Sequence, residues 1–115
     1  MLRGEIRLIS LDPVVGADAS RRRPAVIVSN DGANATAARL GRGVVTVVPV
    51  TSNVARVYPF QVKLPSKSTG LRSNSKAQAE QVRSVALRRV GRPVGRVPAH
   101  IMVQLDEARR LHLAL

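Results

Sequence analysis

Arg23 stands immediately before one apolar run, Pro24–Ser29, and Thr51 immediately after another, Val44–Val50. Both runs are short, rich in Val and Ile, and bounded by Gly, Asn or Pro, the pattern of a buried β-strand. A rigid sheet built from them can hold a guanidinium and a hydroxyl close together at its edge. Such a pair suits phosphate chemistry, because Arg presents a planar, permanently charged fork of donors. Arg before a strand and Thr after one are also ordinary surface residues, and spacing alone does not separate the two readings.

Other chemistries find less support. There is no cysteine, so a thiolate metal site, a Cys nucleophile and a disulfide are excluded. No Walker-type glycine loop occurs. The acids Glu5, Asp12, Asp18, Asp31, Glu80, Asp106 and Glu107 are scattered, which argues against a Mg²⁺-dependent nuclease and its convergent acidic site. No metal ligand set and no cofactor are expected. The only histidines, His100 and His112, fall on one predicted helix. Their spacing puts them about 18 Å apart along its axis and roughly 120° apart around it, so they cannot flank one phosphate within a subunit. RNA cleavage, if it is the activity, must then run on Arg, hydroxyl and amide groups. RNA permits this, because its 2′-OH is the nucleophile and the protein need only align it and stabilise the added negative charge.

The elements that position Arg23 and Thr51 follow from the pattern. Leu2–Leu11 alternates weakly and reads as a strand with one wet face, broken by Asp12-Pro13. Val14–Arg22 is a loop ending in the run Arg21-Arg22-Arg23, longer than the usual connection and therefore a candidate for function. Pro24–Ser29 is the second strand. Asn30–Leu40 predicts a short helix capped by Asn30 or Asp31. Gly41-Arg42-Gly43 is a turn. Val44–Val50, apolar on both faces, is a central strand in which Pro49 marks an end or bulge of the pairing. Tyr58–Leu64 alternates with period two and predicts a strand. Pro65–Ser75 reads as a solvated loop, Glu80–Val85 as a strand, Leu87–Val90 as one helical turn and Gly91–Val97 as a short strand. Pro98 opens a helix whose apolar stripe is Ile101, Leu105, Ala108, Leu111 and Leu115. The order predicts a mainly β chain: one domain over residues 1–115, a small antiparallel barrel covered by a helix.

Lys and Arg number 19 against 7 Asp and Glu, a formal charge of +12. A surface this basic implies a polyanionic partner, whether nucleic acid, an anionic membrane or an acidic protein, or serves solubility alone. With Tyr58 and Phe60 the only aromatics, a platform that stacks bases on several rings is not expected. No apolar run approaches the ~20 residues of a membrane span. Charged Arg3, Glu5 and Arg7 stand where a signal peptide needs its apolar centre, so a cytoplasmic location is expected.

Six strings in order resemble one family. Arg3-Gly4-Glu5-Ile6 is similar to an RGEI/RGDI opening, and Leu11-Asp12-Pro13 with Gly16 to the loop that follows. Arg23 to Ser29 is similar to RPAVVVS, Val48 to Ser52 to VPVTS, Tyr58-Pro59-Phe60 to YPF, and Glu80 to Ser84 to (D/E)QVRS. The chain resembles the MazF/PemK-type toxins of bacterial toxin–antitoxin pairs, especially the mycobacterial branch. It departs at Arg7, where the family often has Trp or Tyr, and at Gly16-Ala17-Asp18, usually Gly-Ser-Glu.

The resemblance implies an SH3-like barrel of the CcdB/MazF type, a homodimer, and sequence-specific, metal-independent cleavage of single-stranded RNA, chiefly mRNA. The products are a 2′,3′-cyclic phosphate and a 5′-OH. It implies Arg23 and Thr51 as the catalytic residues, and an acidic cognate antitoxin as the second partner. Arg21, Arg22, Ser52, Asn53, Arg56, Lys76, Gln78 and Gln81 become candidate RNA contacts. The alternative is a CcdB-like toxin that poisons DNA gyrase by binding. Those proteins act through the end of the last helix, which here is Leu111-His112-Leu113-Ala114-Leu115, without their aromatic.

Overall fold

Residues 1–11 and 22–115 are described by a computed structural model, so most of the loop expected from Asp12, Arg21 included, lies outside the described residues. The strands are β1 (Glu5–Ile9), β2 (Arg23–Ile27), β3 (Val44–Thr51), β4 (Gln61–Leu64), β5 (Ser75–Gln78), β6 (Arg83–Ala86) and β7 (Val90–Arg96). The helices are α1 (Asp31–Leu40), α2 (Ser66–Thr69) and α3 (Ala99–Leu113), with single 3₁₀ turns at Ala79–Gln81 and Leu87–Arg89. All pairings are antiparallel and run β4-β5-β3-β2-β1-β7, with β6 also on β3. The mainly β architecture expected from the sequence is the one observed.

β3 is the spine. Its alternate residues feed two cores: Val48 and Val50 enter the cluster under α3, while Val45 and Val47 join Ile9, Ala25 and Ile27 on the other face. This is why the strand reads as apolar throughout. Along one edge β3 pairs with β6 as far as Val47 and with β5 from Val50. Pro49, which has no N–H to give a ladder, lies where the neighbour changes.

The path closes by backbone packing. α2 follows β4 and sets the Thr69 carbonyl oxygen against Gly95 of β7; a Cβ built on Gly95 would lie 2.5 Å from that oxygen. Gly70 faces Gly95 from the other side and takes φ +82° to end α2. α3 lays Ile101, Met102, Leu105 and Ala108 on the first core. Each large aliphatic side chain buried this way stabilises the fold by roughly 1.5–3 kcal/mol. Asp106 holds α3 at the other end, bridging Arg3 and Arg109.

α1 begins as predicted: Asn30 Oδ1 accepts from the Ala33 N–H at 2.7 Å, and Gly41 ends the helix in the left-handed region. Its Asn34 is fully buried. There Asn34 Nδ2 donates to the Ser29 carbonyl at 2.9 Å, while Asn34 Oδ1 accepts from the Ser29 hydroxyl.

Four expectations need correction. Tyr58-Pro59-Phe60 is not strand. The Gln61 side chain accepts from the Tyr58 N–H at 3.1 Å and the Gln61 N–H donates to the Tyr58 carbonyl, so the chain turns, with the two rings stacked 5.4 Å apart. Pro65–Ser75 is not simply a solvated loop, since it holds α2 and the barrel seam. Glu80–Val85 divides into a 3₁₀ turn and β6, because β3 takes β5 and β6 in succession. Leu111 and Leu115 do not reach the core; they are 60% and 85% exposed, beyond the last turn that α3 packs on the sheet. Among the described residues no helix is long and apolar enough to cross a membrane.

Candidate active site

The pairing of β2 with β3 matches Ala25 with Pro49, Val26 with Val48 and Ile27 with Val47. Two residues beyond the last of these pairs, Arg23 is matched to Ile9 of β1 and Thr51 to Lys76 of β5. The apolar patterns of two buried strands, which admit no one-residue slip, thus carry the two groups to the same end of the sheet. Both line one cavity of about 1000 Å³ at this end of the barrel. Its floor is apolar, built from Leu8, Pro24, Pro49, Val50, Leu71 and Val94.

Thr51 is oriented by its own loop. Its Oγ1 accepts from the Asn53 N–H at 3.2 Å, which leaves the hydroxyl proton available to a ligand. Arg23 is exposed, and its side chain makes no hydrogen bond or ion pair among the described residues. Of the other candidates, Ser52, Gln78 and Gln81 line the same cavity, bringing one hydroxyl and two amides.

Arg22, Asn53, Arg56 and Lys76 do not line it. The Arg22 guanidinium lies over Gly91. Asn53 Oδ1 accepts from the Ala55 N–H and Arg56 reaches the Tyr58 hydroxyl, so both serve the 52–58 loop. Lys76 pairs across from Thr51, is only 8% exposed, and donates from Nζ to the Arg56 carbonyl at 2.6 Å. A lysine expected at an RNA surface is instead an internal tie beneath the Thr51 loop. Arg21 lies outside the described residues.

Sequence reasoning missed three cavity residues: Arg72 in the loop after α2, Arg83 at the start of β6, and Arg92 on β7. They are remote in sequence, and only the strand order gathers them; of the three, Arg83 alone stands inside a family-like string. With Arg23 they make four guanidiniums, and no carboxylate belongs to the described lining. Among the described residues no three His, Cys, Asp or Glu side chains form a metal-binding group. His100 and His112 are exposed on α3 and do not line the cavity. The arrangement can hold a polyanion, place a donor pair on one phosphate and stabilise charge that builds there.

Fold and site together define a small β-barrel with an anion-binding cavity at one end. The family model described as the PemK-like, MazF-like toxin of type II toxin–antitoxin systems matches residues 2–113. The chain is 64% identical to endoribonuclease MazF9 of Mycobacterium tuberculosis over 115 residues, all of this chain and 98% of that protein. It is 39% identical to endoribonuclease PemK of Escherichia coli, over 89% of this chain and 74% of that one. A mycobacterial endoribonuclease solved with its cognate antitoxin has the same fold, with TM-score 0.79 and 23% identity over all of this chain and 96% of that one.

The chain belongs to the PemK/MazF toxin family of type II toxin–antitoxin systems. The endoribonuclease names of these relatives disfavour the gyrase-poisoning alternative.

Proposed function

We propose that this toxin is a metal-independent, sequence-specific endoribonuclease that cuts single-stranded mRNA with Arg23 and Thr51. One observation supports the reading: Arg23 and Thr51 line the same cavity, whose described lining holds four arginines and no carboxylate. The substrate 2′-oxygen attacks the adjacent phosphorus, and the bond from phosphorus to the 5′-oxygen breaks. The 2′-OH loses its proton, the departing oxygen gains one, and the products are a 2′,3′-cyclic phosphate and a 5′-OH.

Arg23 stabilises the pentacoordinate phosphorane, whose charge exceeds that of the starting diester, by hydrogen bonds from its guanidinium, while solvent water takes the 2′-OH proton and supplies one to the leaving oxygen. Thr51 donates its free hydroxyl proton to a non-bridging oxygen and orients the phosphate. Ser52, Gln78 and Gln81 contact the RNA around it. The working protein is a cytoplasmic homodimer, and an acidic segment of its antitoxin competes with RNA for the cationic surface.

The test is cleavage of a long single-stranded RNA in EDTA, with product ends mapped. Wild type is expected to cut at one short motif and leave cyclic phosphate ends. Arg23→Ala, folded by circular dichroism, is expected to lose about 10²–10³ in kcat, the usual cost of removing a donor aimed at a developing oxyanion. Intact RNA with folded wild-type dimer would refute the proposal.

A further inference from the structure

β7 contributes Arg92 and Val94 to the cavity, and these are residues that the regular ladder leaves unpaired. β1 matches Ile6 with Gly95, Arg7 with Pro93 and Ile9 with Val90. Val94 is therefore an extra residue between two pairs, and Gly91 with Arg92 stand together against Leu8 alone. Such bulges re-aim side chains and are favoured beside active sites.

The second irregularity is held in place. Arg7 Nη1 donates to the Gly91 carbonyl at 3.0 Å, and Arg7 Nε is fixed by Glu5 Oε1 at 3.0 Å. Gly91 admits no side chain, since a Cβ there would lie 2.8 Å from the Leu8 carbonyl oxygen. The wall that carries Arg92 is thus a built feature.

Arg72 and Arg83 line the same cavity, and neither side chain has a hydrogen bond or ion pair among the described residues. One scissile phosphate, held by Arg23 and Thr51, does not balance four guanidiniums in a described lining without a carboxylate. The cavity, at the upper end of the ~300–1,000 Å³ typical of ligand sites, holds more than one phosphate.

We infer that Arg72, Arg83 and Arg92 form a second phosphate subsite, which binds a backbone phosphate flanking the scissile one and sets the path of the RNA through the cavity. This rests on the endoribonuclease reading and adds a binding role for three residues outside the Arg23–Thr51 pair. The ligand is a phosphodiester, and the recognition is of backbone rather than base.

The experiment measures binding of a fluorescent single-stranded oligonucleotide carrying the cleaved motif, 2′-O-methylated so that it cannot be cut, across a series of KCl concentrations. Removing one cation that neutralises a phosphate should reduce the slope of log K against log salt by about 0.7 for a single strand. Arg72→Gln, Arg83→Gln and Arg92→Gln are each expected to show part of that reduction and the triple variant all of it, and in cleavage of the unmodified RNA KM should rise more than kcat falls. Arg92→Lys, which keeps the charge on the bulge, should restore most of the slope. Wild type that cuts RNA, with slopes unaltered in all three Gln variants, overturns the subsite and leaves the endoribonuclease reading standing. Wild type that neither binds nor cuts RNA overturns both.

Discussion

Replacing Gly95 by Ala puts a methyl group into the seam of the barrel. The new Cβ would lie 2.5 Å from the Thr69 carbonyl oxygen, 3.4 Å from Ile6 Cδ1 and 3.5 Å from the Thr69 carbonyl carbon. The oxygen is the severe contact, about 0.9 Å inside ordinary van der Waals distance. It belongs to backbone, so no rotamer change relieves it. Either α2 or β7 must move, and α2 is held by the β4–β5 ladder on one side and the Gly70 turn on the other. Overpacking costs typically 1–3 kcal/mol, and two backbones in collision belong at about 2–3. For a chain of this size that lowers Tm by about 10 °C.

The displacement also reaches the site, because the segment from Gly70 through Ser73 leads from the seam into the cavity wall and carries Arg72. Thermal unfolding followed by circular dichroism gives the stability, and amide exchange of residues 70–75 gives the local opening. A Tm within about 2 °C of wild type would refute the claim that this contact closes the barrel.

Further outcomes follow from other contacts. Lys76→Met removes the tie to the Arg56 carbonyl; the 52–58 loop should exchange faster and cleavage should weaken, while the salt dependence of RNA binding stays as in wild type, because Lys76 is buried and its ammonium is held by that carbonyl. Asn34→Ala leaves the Ser29 carbonyl without its donor in a fully buried site and should cost about 2–4 kcal/mol in denaturant unfolding. At Glu5, burial pushes the carboxyl up, but the Leu2 backbone and the Arg7 guanidinium outweigh it and hold it below its ordinary value. A depressed folded value gives stability that is present above the unfolded carboxylate value and lost as pH falls through the folded one. Glu5→Gln should therefore flatten the acid limb of the stability curve, measured by urea unfolding between about pH 6 and pH 3.

The chemistry of this chain was legible where short-range pattern determines it. Val44–Val50 reads as a doubly buried strand because both faces are apolar, and Asn30 reads as a cap because its side chain can reach no further than the next turn. Arg23 and Thr51 draw notice because each abuts such a strand, but only the family resemblance proposes a catalytic role for them. What escaped depended on contacts distant in sequence. Lys76 looks like a surface cation, and only its pairing opposite Thr51 turns it inward. Tyr58 to Leu64 alternates well enough for a strand, but the Gln61 side chain makes the turn's hydrogen bond instead. Leu111 and Leu115 keep the helical spacing of Ile101 and Leu105, yet the sheet beneath them ends first. Arg72 and Arg92 carry no local mark, and Arg83 only its place in a family-like string, since a bulge and a strand order place them.

The ends of the chain meet. β1 pairs with β7, the last strand of the sheet in sequence order, and Arg3 reaches Asp106 across 103 positions of sequence. During synthesis, therefore, β1 has no outer neighbour until β7 has left the ribosome. The cavity wall that holds Arg92 does not exist before then, and α3, which seals the first core, comes later still. Contacts this distant form late and slowly. A nascent fragment ending before β7 lacks Arg92 and Val94, and with them one wall of the cavity. The cavity is thus completed only with the last strand of the sheet, an order set by which strands are neighbours.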